Sequence, residues 1–149
     1  MPHLSLDDSD YLPLAAFPLA WRWTLANQHP LSPTVLATIR PLTPARATEI
    51  HDLALARCAQ GSSNPQARQV PTDGARSAVC DWLEGLGVGP SETIILSWDR
   101  TTAVATIWQT FLDHWDAFCY PGSDDVTIWP PTCDWALCYR HYDVLELRL

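Results

Sequence analysis

Apolar residues fall along positions 92–129 in three successive rhythms. Thr93-Ile94-Ile95-Leu96-Ser97-Trp98 is a short continuous apolar run rich in β-formers, which predicts a buried strand. Val104, Ile107, Trp108, Phe111, Trp115 and Phe118 then recur at helical spacing and predict a helix over 102–118. Gln109, Asp113 and Asp116 fall off that stripe, toward water. Thr101 or Thr102 offers a cap for its start, and Pro121-Gly122 follows its end. Val126-Thr127-Ile128-Trp129 reads as the next strand.

The flanking pattern is more broken. Leu12 to Pro18 is an apolar segment interrupted by proline, read as an irregular arm on the core. Trp21-Arg22-Trp23-Thr24-Leu25 alternates strictly, which predicts a half-buried strand with both Trp facing in. Ser32-Pro33 supplies a cap and an N1 proline before Val35, Leu36 and Ile39, giving one or two helical turns stopped by Pro41. Thr43-Pro44 repeats the device and opens a longer helix, about Pro44 to Ala59, with Ala47, Ile50, Leu53 and Ala54 inward and Gly61 as its stop. Residues 61–72 are polar, hold two prolines and read as a loop. Asp73 is placed to cap a short helix through Val79, Trp82 and Leu83 that closes at Gly85. Pro130 to Asp134 is a turn. Beyond it Trp135, Leu137, Tyr139 and His141 alternate, then Leu145, Leu147 and Leu149, which is too long for one strand. Two strands with a break near Tyr142-Asp143 fit better.

These elements predict a single α+β domain over 1–149. Its sheet is mostly antiparallel, with one aromatic-rich helix packed across a face and the N-terminal helices at the flank. The helical connection between strands 93–98 and 126–129 permits a parallel pair; the five-residue turn after Trp129 favours an antiparallel one. At 149 residues the chain is long enough to bury a substantial core, and eight Trp are available to fill it.

Charge narrows the function. The net charge is −8, and residues 92–149 hold nine of the seventeen acids against three of the nine arginines. An acidic surface of this kind argues against phosphate-backbone binding and fits a basic protein partner. No apolar run is long enough to span a bilayer, and Met1 to Asp10 carries three acids and no Lys or Arg, unlike a secretory leader. Five Cys, an odd number, suit reduced thiols in the cytosol better than a disulfide framework.

The candidate chemistry is sparse. Gly85-x-Gly87-x-Gly89 closes a helix and precedes a strand, the reverse of a dinucleotide loop, so it reads as a helix stop and turn. Cys119, Cys133, Cys138 and His141 lack the close Cys pairs of a structural zinc site, and no metal or cofactor is expected. His51, His114 and His141, with Asp99, Asp116 and Asp143 as orienters and Ser97 or Ser123 as nucleophile, would be needed for a small hydrolase or transferase. None of these pairs has diagnostic spacing. Ser123-Asp124-Asp125 has turn chemistry. Grouped with Asp113 and Asp116 beside Tyr120 and Trp129, its two acids also form a candidate acidic docking patch.

The run Trp108-x2-Phe111-x3-Trp115-x2-Phe118, then Tyr120-Pro-Gly-Ser-Asp-Asp, Trp129 and Trp135-Ala-Leu-Cys-Tyr-Arg-His-Tyr-Asp, resembles small bacterial immunity-type proteins of polymorphic toxin and type VI secretion systems. The resemblance covers about residues 92–149. It implies a non-enzymatic protein that binds and occludes a toxin, with Asp113, Asp116, Tyr120, Asp124, Asp125 and Trp129 as the expected contact residues.

Overall fold

The computed structural model describes residues 5–25, 27–60, 68–132 and 134–148. Its frame is a hairpin of β3 (Thr93–Asp99) and β4 (Thr102–Ile107), paired from Thr93↔Ile107 to Asp99↔Thr102 with a bulge between Ser97 and Asp99. The Asp99 carboxylate closes the turn by accepting from the Thr101 amide at 2.9 Å and its hydroxyl at 3.2 Å. Burial raises the Asp99 pKa, but the hydrogen bonds from Thr101 and Thr102 together outweigh it and hold the carboxyl below its ordinary value.

This hairpin corrects the expectation of a helix over 102–118. Residues Thr102 to Thr106 are all buried, and burial on successive positions demands that both faces be covered. A strand inside a sheet supplies that; one stripe of a helix does not. Four of the six residues, Thr102, Val104, Thr106 and Ile107, are β-branched, which favours the strand again. Only α4 (Trp108–Phe118) is helical. It starts directly from β4, and its Trp108 and Gln109 amides, orphaned by helix geometry, donate to the carbonyls of Glu92 and Pro90 at 2.9 Å each.

Around the hairpin the described strands form one antiparallel sheet in the order β1-β4-β3-β5-β6-β7-β2, where β1 is Arg40–Pro41, β2 Arg68–Pro71, β5 Val126–Trp129, β6 Ala136–Arg140 and β7 Val144–Arg148. The break before β7 falls at Asp143, whose φ is +65°. Strand β2 occupies the second half of the stretch expected to be loop, and residues 61–67, with the expected stop at Gly61, lie outside the described residues.

Alternation sends the two sides of the sheet to different partners. Ile94, Leu96, Val104, Val126, Ile128, Leu137 and Tyr139 meet α4 and helix α3 (Arg76–Glu84) through Val79, Leu83, Phe111, Trp115 and Phe118. Ile95, Ala103, Trp129 and Ala136 instead meet Ala47 and Ile50 of helix α2 (Pro44–Gln60). Being covered on both faces is why Ile94 to Leu96 reads as a continuous apolar run. Leu53 of α2, expected inward, is exposed. Ser32 does cap helix α1 (Pro33–Leu36), accepting from Val35, and Thr43 accepts from Arg46 at the start of α2. Asp73 does not cap α3, whose N-cap is Ala75 and makes no side-chain bond.

Trp21 to Leu25 is not a strand. A short 3-10 turn over Ala20–Arg22 carries Trp23 and Arg22 inward together, and Trp21 and Leu25 outward. Strict alternation would forbid two buried neighbours. Trp23 stacks on Phe17 at 5.7 Å and donates its Nε1–H to the Ala117 carbonyl at 2.9 Å, which ties this arm to α4.

Candidate functional site

Loop 119–125 links α4 to β5, and it is built on a buried charge. The Asp124 carboxylate is 7% exposed and takes two hydrogen bonds from the Arg22 guanidinium, at 2.6 and 3.0 Å. It also accepts from the Tyr120 amide at 2.9 Å and the Ser123 hydroxyl at 3.4 Å. A bidentate guanidinium–carboxylate pair is directional, so it fixes the loop against the 20–22 turn as well as neutralising both charges.

Aromatic rings rest on this pair. The Arg22 guanidinium lies 4.0 Å from the Tyr120 ring centroid and 5.6 Å from that of Trp21, and Trp21 meets Tyr120 edge-on at 6.0 Å. The Asn27 amide donates to the Tyr120 hydroxyl at 3.2 Å and to the Arg22 carbonyl at 2.8 Å. Trp21 is nevertheless 48% exposed, and Leu25 beyond it 93%. On the other side of the loop, the Asp125 carboxylate accepts from the His141 amide at 3.0 Å and faces its Nδ1 at 3.1 Å. The His141 amide bond, joined by the ring, holds the Asp125 pKa below its ordinary value against the opposing effect of burial. Tyr142, 61% exposed, stands edge-on to His141 at 5.4 Å.

The six expected contact residues are therefore scattered. Trp129 is 2% exposed and packs under α2, and Asp124 is consumed by Arg22; neither reaches the surface. Asp113 and Asp116 are exposed on α4, but Asp116 pairs with Arg76 at 3.0 Å, and Arg76 also donates to the Asp113 carbonyl. The Asp113 side chain accepts from Gln109. Tyr120 and Asp125 alone sit on the loop as exposed or half-buried groups. The reading of one continuous acidic patch gives way to a platform of rings with locally matched acids. Sequence reasoning missed Trp21, Arg22 and Leu25 because the alternating pattern faced Trp21 and Leu25 inward and Arg22 outward. Its orienting acids, Asp99, Asp116 and Asp143, did not include Asp125, the partner of His141 sixteen residues away.

Of the other candidate catalytic groups, His51 packs against Trp129, and His114 sits at a kink within α4. Cys119 is buried; burial first, and Asp124 second, push its thiol pKa well up, away from the thiolate form that attacks. Among the described residues no three His, Cys, Asp or Glu side chains gather as a metal site would need, and Cys133 lies outside them. Among them too, no helix is long and apolar enough to cross a membrane. Comparison with protein-family models, with curated proteins and with solved structures gives no match.

Proposed function

We propose that the chain is a non-enzymatic binding protein of the immunity type, which docks on a basic toxin through the surface around loop 119–125. The observation that carries the reading is a half-exposed tryptophan held in place from beneath. Trp21 leans on Tyr120, Tyr120 lies on Arg22, and Arg22 is locked to buried Asp124. A ring with its position already set loses little freedom on binding, and Trp, Tyr and Arg are the side chains that most often anchor interfaces. Leu25, in the same N-terminal segment as Trp21, and Tyr142, beside His141, are further exposed apolar groups. The net charge of −8 supplies long-range attraction to a basic partner.

The test is binding to, and protection against, the product of a toxin gene encoded immediately upstream. Trp21→Ala should speed dissociation and abolish protection while the fold is kept. Asp125→Lys should slow association and reduce its salt dependence.

One observation favours a second reading, a small hydrolase or transferase. Asp125 engages Nδ1 of His141, an arrangement that directs Nε2 of an exposed ring outward as a general base. Turnover lost on His141→Gln, with no effect of Trp21→Ala, would select it.

A further inference from the structure

The described stretches 13–25 and 27–39 leave the domain and return to it at one place. Leu12 donates its amide to the Pro41 carbonyl at 2.9 Å, and Tyr11 bridges Leu42 beside it, so the two ends of the excursion are joined. Among the described residues, every backbone-to-backbone hydrogen bond made by these stretches is internal to them, such as Phe17 to Leu14, Trp23 to Ala20 and Leu31 to Trp23. Their polar ties to the rest of the domain run through side chains. The Trp23 ring donates to the Ala117 carbonyl, Asn27 to the Tyr120 hydroxyl and Arg22 to Asp124, while Thr38 meets Thr110 and Thr106 at 2.8 and 3.4 Å.

A segment held by no strand ladder detaches at the cost of its side-chain contacts. Apolar burial holds this one down: Phe17 and Trp23 each lie 6.0 Å from the Trp98 ring, and Trp23 lies 5.2 Å from that of Phe118. The ion pair adds less than its geometry suggests. Arg22 and Asp124 are both buried, and the water that each charge gave up is regained on opening, which offsets their attraction. Nε of Arg22 is also buried with no hydrogen-bond partner, a donor that opening returns to water. The same pair sets how far the motion reaches, because the carboxylate that Arg22 aligns also receives the Tyr120 amide.

We propose that these stretches form a hinged flap, with its hinge at Leu12 and Pro41 and its latch at Arg22–Asp124. The flap opens as one unit and loosens the start of loop 119–125 with it. Opening uncovers Trp98 and Phe118 and carries Trp21 away from Tyr120. A molecule that spans Trp21 and Tyr120 therefore selects the closed form. The inference goes beyond the proposed docking and stands on contacts within the chain alone.

Native-state hydrogen exchange of the isotopically labelled protein, over a series of low urea concentrations, tests it. The Trp23 indole N–H and the Tyr120 amide should exchange through one shared opening, about tenfold or more faster than the amides of the β3–β4 ladder. Its urea slope should be common to both groups, above zero and below that of the ladder. Ile95→Val, in the part of the sheet that stays folded when the flap opens, should speed the ladder amides by about fivefold and leave Trp23 and Tyr120 unchanged. Asp124→Asn should speed exchange at Trp23 by about tenfold or more, as loss of a charged acceptor does. Wild type and Ile95→Val decide the flap even if Asp124→Asn does not fold. Equal acceleration of all these groups in Ile95→Val, different urea slopes for Trp23 and Tyr120, or a slope of zero would overturn the flap. Unchanged exchange at Trp23 in a folded Asp124→Asn protein would overturn the latch.

Discussion

The two ends of the β5–β6 pair solve the same problem, joining strands to their neighbours, by opposite means. At the 119–125 end, side chains apart in sequence are tied by hydrogen bonds: Arg22 to Asp124, and His141 to Asp125. The rings of Trp21, Tyr120 and Tyr142 stand on those ties as a projecting surface. At the 130–135 end, prolines and the backbone bonds from α4 to Pro90 and Glu92 hold the chain, and the surface between them is a hollow. Polar side chains thus tie segments together at the first end and line a recess at the second. A substitution of the same chemical kind should have very different consequences at each.

The largest effects expected are at the buried pair of the 119–125 end and in the core of the sheet. Asp124→Ala leaves a buried guanidinium unpaired and should cost about 3–5 kcal/mol in urea unfolding. Replacing both partners, as Arg22→Met with Asp124→Leu, should cost less than the sum of the single changes, because neither charge is then stranded. Trp108→Ala, which empties a position 1% exposed, should cost a similar amount, about 3–5 kcal/mol. Near-wild-type melting of Asp124→Ala would mean that the loop is not held as described.

The Asp125 tie is weaker and is read by pH. Its carboxyl pKa is depressed below 3.8 in the folded chain, through the His141 amide first and the ring second. A depressed folded pKa stabilises above the unfolded value, and that stabilisation is lost as pH falls through the folded one. The melting-temperature gap between wild type and Asp125→Asn should therefore hold steady at neutral pH and close as the solution is acidified below 3.8. A gap that widens on acidification would contradict it. Smallest of all, Glu92→Gln at the recess end should stay within about 0.5 kcal/mol of wild type in stability, since it is an exposed carboxylate.

The same contrast explains what the sequence disclosed. Antiparallel strands, the 130–134 turn and the break at Asp143 follow from local alternation and turn chemistry, and they were legible. Residues 102–107 were not, because Val104, Ile107 and Trp108 happen to fit a helical stripe. Only the burial of Ala103, beneath α2, and of Ala105 reveals a strand. The proposed docking surface was less legible still. Its key pair, Arg22 and Asp124, is separated by 102 positions, and nothing near Asp124 announces that its charge is neutralised from the N-terminal arm. A buried acid and an exposed one look alike in a chain. Trp129 shows the same blindness from the apolar side: beside an acidic turn it suggested an anchor, yet it faces α2.

The central claim is that Trp21 is a contact residue carried on a structural pair. Dissociation from the proposed toxin partner, measured together with urea unfolding for Trp21→Ala, tests it most directly. The account predicts unfolding within about 1 kcal/mol of wild type, as for a partly exposed side chain, and dissociation faster by about tenfold or more. Unchanged dissociation in a folded Trp21→Ala protein would contradict it.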